Sequence, residues 1–156
     1  MATVDYTAVA AGLSQAIPFN VHLGLETTSV TPDSGTVRLP DDGKLQNHVG
    51  SQHAGALFAA GEAASGAAFV GAFLDVMGEI TPLAEGASIS YKKLARGEIT
   101  ATASFDEDAQ ALKAKLRDEG RIRFPVGVRM TDAEGNVVAE MTVEWYVRQR
   151  DQAVAA

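Results

Sequence analysis

The chain contains no cysteine. That excludes disulfides, a thiolate nucleophile and a cysteine-ligated metal together, and it suits a reducing compartment, so a cytoplasmic location is expected. Histidines are few. His48 and His53 lie five apart with no third ligand at metal-site spacing, so no metal is expected. Cations are in the minority: 13 Lys and Arg stand against 20 Asp and Glu, a formal net charge of −7. A sequence-independent nucleic-acid binder needs a strongly basic face, so no nucleic-acid partner is expected. No Gly-x-Ser-x-Gly elbow, P-loop or dinucleotide fingerprint is present. The opening run Met1 to Tyr6 carries no basic segment ahead of an apolar core, so no secretory signal is expected.

The 156 residues are 46% hydrophobic and 21% charged, the balance of an ordinary globular chain. One domain spanning 1–156 is expected, burying roughly two-thirds of its unfolded surface. Repeats, linkers and low-complexity segments are absent, and the tail 150–156 reads as flexible. The longest apolar run, Ala54 to Leu74, has Glu62 as its only charge. It is long enough to span a bilayer. Its Ala and Gly content and its mid-run carboxylate argue instead for a buried core helix and no membrane.

Local signals order the chain. Residues 6–16 read as a helix, with Pro18 beyond its end. Val21 to Thr31 and Thr36 to Leu39 read as strands around the turn Pro32-Asp33-Ser34-Gly35. The central helix is expected over about 52–77, with Gly78 as its stop. Ala87 to Leu94 and Ile99 to Phe105 read as a further hairpin about Ala95-Arg96-Gly97-Glu98. Asp106 to Glu119 reads as a short surface helix, and Ile122 to Thr131 with Val137 to Val147 as a final hairpin. Consecutive hairpins favour an antiparallel sheet with one helix on its apolar face, an α+β domain.

The central helix is built almost wholly from Ala and Gly, with Gly55, Gly61, Gly66 and Gly71 inside it. Each glycine costs about 1 kcal/mol against alanine there. Close approach of a curved sheet or a partner helix accounts for them. It does not account for Glu62, whose carboxylate must be paired, hydrogen-bonded or shifted in pKa if it is buried. Such a group is either catalytic or structural. Gly55 and Glu62 are seven residues apart, so they share a helix face while lying about 10 Å apart along the axis. One carbonyl cannot touch both within one helix, so a shared site would span two copies of the chain.

The run Gln46-Asn47-His48-Val49-Gly50-Ser51-Gln52-His53-Ala54-Gly55 is polar for an entry into a core helix. It reads either as a capped loop or as a site. In the second case, Asn47 and His53 supply hydrogen bonds and the free amides of Ala54 and Gly55 can hold an anion or oxyanion. Phe58, Phe69 and Phe73 read as pocket wall or as core.

This run, with Glu62 nine residues after His53, resembles the hotdog-fold thioesterases of the phenylacetate-pathway (PaaI-like) type. It is most similar to the branch whose motif reads Asn-His-x-Gly-x-x-His-Ala-Gly. The resemblance implies a hotdog fold, with five to six antiparallel strands wrapped around the long helix. It implies a homodimer, or a dimer of dimers, with sites at the dimer interface. The implied substrate is an acyl-CoA thioester, hydrolysed to acid and CoA without a cofactor. Gly55 would polarise the carbonyl, Glu62 of the other subunit would act as base or nucleophile, and Asn47 and His53 would orient carbonyl or water. Two departures stand out. Ala54 replaces the first Gly of the commoner His-Gly-Gly, and Glu62 stands where many relatives carry Asp. The stretch Tyr91 to Gly97 matches one that borders the CoA entrance, so Lys92, Lys93 and Arg96 either contact CoA phosphates or form a solvated strand end. A non-catalytic acyl-CoA or acyl-carrier binder of the same fold, and a hotdog dehydratase, are the alternatives.

Overall fold

The structure is a computed structural model and describes residues 2–151. The expected flexible tail falls mostly on residues 152–156, which lie outside the described residues.

Asp5 caps the first helix, α1 (Tyr6–Ala16), by accepting from the amides of Thr7 and Ala8. The strand expected from Val21 begins later. Pro18 is the first residue of a second short helix, α2 (Pro18–Leu23), where its fixed φ and missing N–H are tolerated. Gly24 closes that helix in the left-handed region, at φ 72°. Strands β1 (Glu26–Val30) and β2 (Ser34–Leu39) then pair antiparallel as the expected hairpin.

The central helix α3 (Ala54–Phe73) starts at the His53 cap and continues as a 3-10 helix over Leu74–Glu79. It is followed by β3 (Ile80–Tyr91), β4 (Ile99–Phe105), α4 (Ala109–Glu119), β5 (Arg121–Thr131) and β6 (Val137–Gln149). Asp108 and Gly120 cap α4 at its two ends. Ala54–Glu79 is long and apolar enough to cross a membrane by length and composition, yet most of it is buried inside the fold.

The six strands form one antiparallel sheet in the order β1-β2-β4-β5-β6-β3. This corrects one expectation. β3 and β4 are not a hairpin: β3 pairs with β6 at one edge, and β4 sits between β2 and β5. Residues 92–98 are therefore a crossover from the sheet edge to its interior. On β5, burial alternates residue by residue, and Ile122, Phe124, Val126, Val128 and Met130 point into the core.

The sheet wraps α3 closely, and it touches at Gly61 and Gly71 of the helix and at Gly35 of β2. A Cβ on Gly71 would collide with the carbonyl of Thr31 at the end of β1. One on Gly35 of β2 would meet the helix backbone at Ala68 N and Ala64 O. Gly61 faces the thioethers of Met141 and Met130. A helix with larger side chains would not fit this groove. Phe69 and Phe73 stack on each other at 4.7 Å and join Phe124 and Trp145, so these two are core and not pocket wall. This is the hotdog architecture: a long helix held in a curved antiparallel sheet.

Candidate active site

Three segments meet at the start of α3. The first is the loop 46–53. Asn47 shapes it: its Oδ1 accepts from the amides of Val49 and Ser51, and its Nδ2 donates to Ser51 Oγ at 2.8 Å. The Asn47 amide function is thus largely committed to its own loop. Ser51 and Gln52 are buried, while His48, Val49 and Gly50 are exposed. The His53 amide donates to Leu45 O at 2.9 Å, which seats the helix entrance on the segment after β2.

His53 is the N-cap of α3, and its Nδ1 accepts from the Gly55 amide at 2.8 Å. An accepting Nδ1 carries no proton, so the ring proton of the neutral imidazole is on Nε2. The Gly55 amide therefore already has a partner in this chain. A ligand oxygen would reach it only after the imidazole turns aside. The Gly55 position itself is open to solvent.

The second segment is the crossover after β3. The Tyr91 hydroxyl donates to Ala54 O at 3.1 Å, and the Gln52 amide donates to Ala95 O at 2.7 Å. The Gln52 Nε2 donates to Gly97 O at 2.8 Å and to Pro40 O at 2.9 Å. Lys92 and Lys93 lie just past the strand end, where both amides donate to Val138 O, so strand alternation does not separate their side chains. Lys92, Lys93 and Arg96 are all exposed. The fold thus brings the cationic stretch against the helix start, although the two are some 40 residues apart in sequence.

The third element is the open face of α3. Gly55 and Phe58 are exposed on it, and Glu62, Gly66 and Val70 are half-buried. The Glu62 carboxyl has no hydrogen bond or ion pair among the described residues, and burial alone raises its pKa above the usual carboxylate value. Its backbone is well held: Ser65 Oγ donates to Glu62 O at 2.7 Å, and Trp145 Nε1 donates to Ser65 Oγ at 3.3 Å. Within one chain Glu62 and Gly55 sit two turns apart on one helix, so they do not converge on one point. Two concavities lie elsewhere: a groove of about 770 Å³ on the outer sheet face beside Arg129 and Glu140, and one of about 910 Å³ at the far end of α3 beside Asp75 and Lys113.

A family model described as a domain of unknown function, DUF4442, matches residues 6–147. The chain belongs to this family. No curated protein matches the chain. Solved structures do. A Pseudomonas aeruginosa protein of unknown function, PA5026, described as a probable thioesterase, is 26% identical, with a TM-score of 0.84 over 94% of this chain and 97% of that one. The Haemophilus influenzae thioesterase HI1161 is 15% identical, with a TM-score of 0.76 over 99% and 97%. The Escherichia coli PaaI protein of the phenylacetic acid degradation operon is 14% identical, with a TM-score of 0.69 over 94% and 97%. The latter two are alike in fold alone. The DUF4442 match spans the 46–55 loop, α3 with Glu62 and the 91–97 crossover.

Two contributors lie in runs that the sequence singled out, but their roles were not legible there. Gln52 ties the loop to the crossover, and Tyr91 caps the site from the sheet edge. Only a polar residue next to His53 hinted at the first.

Proposed function

We propose that the chain is an acyl-CoA thioesterase whose site is completed by a second copy of itself. The observation that carries this is Glu62: a half-buried carboxyl, without a partner among the described residues, on the open face of an Ala/Gly helix. A structural carboxylate in that setting would be paired, because an uncompensated buried charge is costly. A base of raised pKa is also closer to the working pH, where general-base catalysis is most effective.

The edge strand supports the second copy. Among the described residues β3 is a 12-residue strand paired on one side only, with Leu83 at 58% and Tyr91 at 47% exposure. Long unpaired edges of this kind are ordinarily covered or blunted. Pairing β3 with its own copy would cover both this edge and the open stripe of α3, where Phe58 is 39% exposed. It would also bring Glu62 of one copy toward the helix start of the other, which one chain cannot do.

In this reading the thioester carbonyl lies at the α3 start, where the Gly55 amide, released by rotation of His53, or the His53 Nε2–H donates to its oxygen. Glu62 of the other copy takes a proton from water as the water adds to the carbonyl carbon. The tetrahedral adduct then collapses, the C–S bond breaks, and the thiolate leaves and is protonated. In the alternative route Glu62 attacks the carbonyl directly, the C–S bond breaks and CoA thiolate leaves and is protonated, and water then hydrolyses the resulting anhydride to free acid and the Glu62 carboxylate. Lys92, Lys93 and Arg96 meet the CoA phosphates. The setting is cytoplasmic.

One observation favours a second reading, a non-catalytic acyl-CoA binder. The Gly55 amide is already bonded to His53. A panel of acyl-CoA thioesters with free-thiol detection separates the two. Hydrolysis that Glu62→Ala abolishes supports the enzyme. Tight CoA binding with no thiol released from any member of the panel overturns it in favour of the binder.

A further inference from the structure

Gln52 is 3% exposed, yet it is polar and makes no contact that the proposed chemistry needs. Its bonds go to three main-chain carbonyls from two distant segments. Its backbone amide donates to Ala95 O, and its Nε2 donates to Gly97 O and Pro40 O. Two acceptors facing the same amide nitrogen fix the orientation of the side chain, since a flipped amide would set oxygen against both carbonyls. The fold keeps this arrangement although Gln52 Oε1 is then buried without a donor among the described residues.

Ala95 and Gly97 flank Arg96. The crossover has no ladder of its own between Tyr91 and Ile99. Its first residues hang on Val138 O, and its last, Glu98, is bonded to Arg38, which also holds Glu26. The middle is held by Gln52. Among the described residues, the exposed Arg96 takes no part in the ion pairs of this neighbourhood. We infer that Gln52 is a positioning residue: it clamps the backbone on both sides of Arg96 to the helix entrance, and so sets Arg96 to receive the phosphates of CoA at a fixed offset from the thioester. This rests on the acyl-CoA reading of the site. The chemical class of ligand it concerns is the nucleotide-phosphate portion of CoA.

The test compares acyl-CoA with the matching acyl-pantetheine, which has the same thioester and no phosphate, and measures CoA binding by calorimetry. Gln52→Met keeps the volume and the backbone bond and removes both side-chain bonds. Misplacing one guanidinium–phosphate contact weakens binding about tenfold. The expected result is a rise of that size in the CoA Kd and in the acyl-CoA KM, with the loss falling on KM and not on kcat, and with acyl-pantetheine unaffected. Arg96→Ala should show the same pattern, and the double variant should be no worse than either single one. An equal loss on both substrates, or additive losses in the double variant, overturns the inference. Gln52→Asn, which keeps a buried amide and shortens it by one methylene, is the second variant. If neither folds, Gln52 is simply a core residue and the inference fails. Wild-type protein that binds no CoA sinks the acyl-CoA reading itself. CoA binding that Gln52→Met leaves unchanged sinks only this inference.

Discussion

Glu62→Gln should raise stability while it removes activity. The substitution keeps shape and deletes the charge. The carboxyl is half-buried, has no partner among the described residues, and is held above its ordinary pKa near 4.5 by burial alone. A folded-state pKa above the unfolded value means that folding favours the protonated form. The contribution is therefore fully present below about pH 4.5 and is lost as pH rises through the folded value. Gln does not titrate. The variant and the wild type should melt alike near pH 4, and the variant should melt higher at pH 8. Relief of a half-buried, partly screened charge is worth about 1 kcal/mol. For a chain of this length that is about 2–4 °C in Tm. Thiol release should fall by roughly 10²–10⁴, the usual worth of a general base. Melting curves at pH 4, 6 and 8, with assembly state checked by light scattering, read the first effect, and the acyl-CoA assay reads the second. A variant less stable than wild type at pH 8 would mean that the carboxylate holds a structural partner, and the catalytic assignment would then be refuted whatever the turnover.

Four further variants test the packing of α3 and the ion pair at its far end. Gly71→Ala drives a methyl into the backbone carbonyl of Thr31, just past β1, and should cost about 1–3 kcal/mol despite alanine's helix preference. Gly61→Ala, on the same helix, meets only the flexible ends of Met141 and Met130 and should stay within about 1 kcal/mol of wild type by denaturant titration. Lys113 on α4 is 5% exposed and donates to both oxygens of Asp75 at 3.0 and 3.1 Å. Asp75→Asn should therefore cost about 1–3 kcal/mol by stranding a buried ammonium, whereas Lys113→Met should cost less; the same titration compares them.

The α+β class, the α3 helix and most element ends are legible in the residues because their causes are local. Asp5, Asp108 and Gly120 cap helices through bonds a few residues long. The Asp132–Asn136 turn bonds to itself, with Asp132 Oδ1 accepting from the amides of Glu134 and Asn136. The oddity of Glu62 is equally local, since one carboxyl in an Ala/Gly run needs a reason wherever the helix packs. The reading of β3 and β4 as a hairpin failed for a matching reason. Strands close in sequence usually pair, and alternation of apolar and polar residues is the same whether a strand's neighbour is the next in the chain or not.

Tertiary structure decided that β3 crosses to the far edge beside β6, and much follows from that placement. It turns residues 92–98 into a crossover, sets Lys92, Lys93 and Arg96 by the helix entrance, and makes Gln52 the clamp between segments some 45 residues apart. The bonds of Asn47 within its own loop and of the Gly55 amide to His53 span only two to four residues and are local, although the residues by themselves left cap and site open as readings. Helix propensity, capping and alternation act over a few residues and are written in the chain. Strand order and the partner of a buried amide depend on which distant backbone groups folding leaves to be satisfied, and only the assembled sheet determines those.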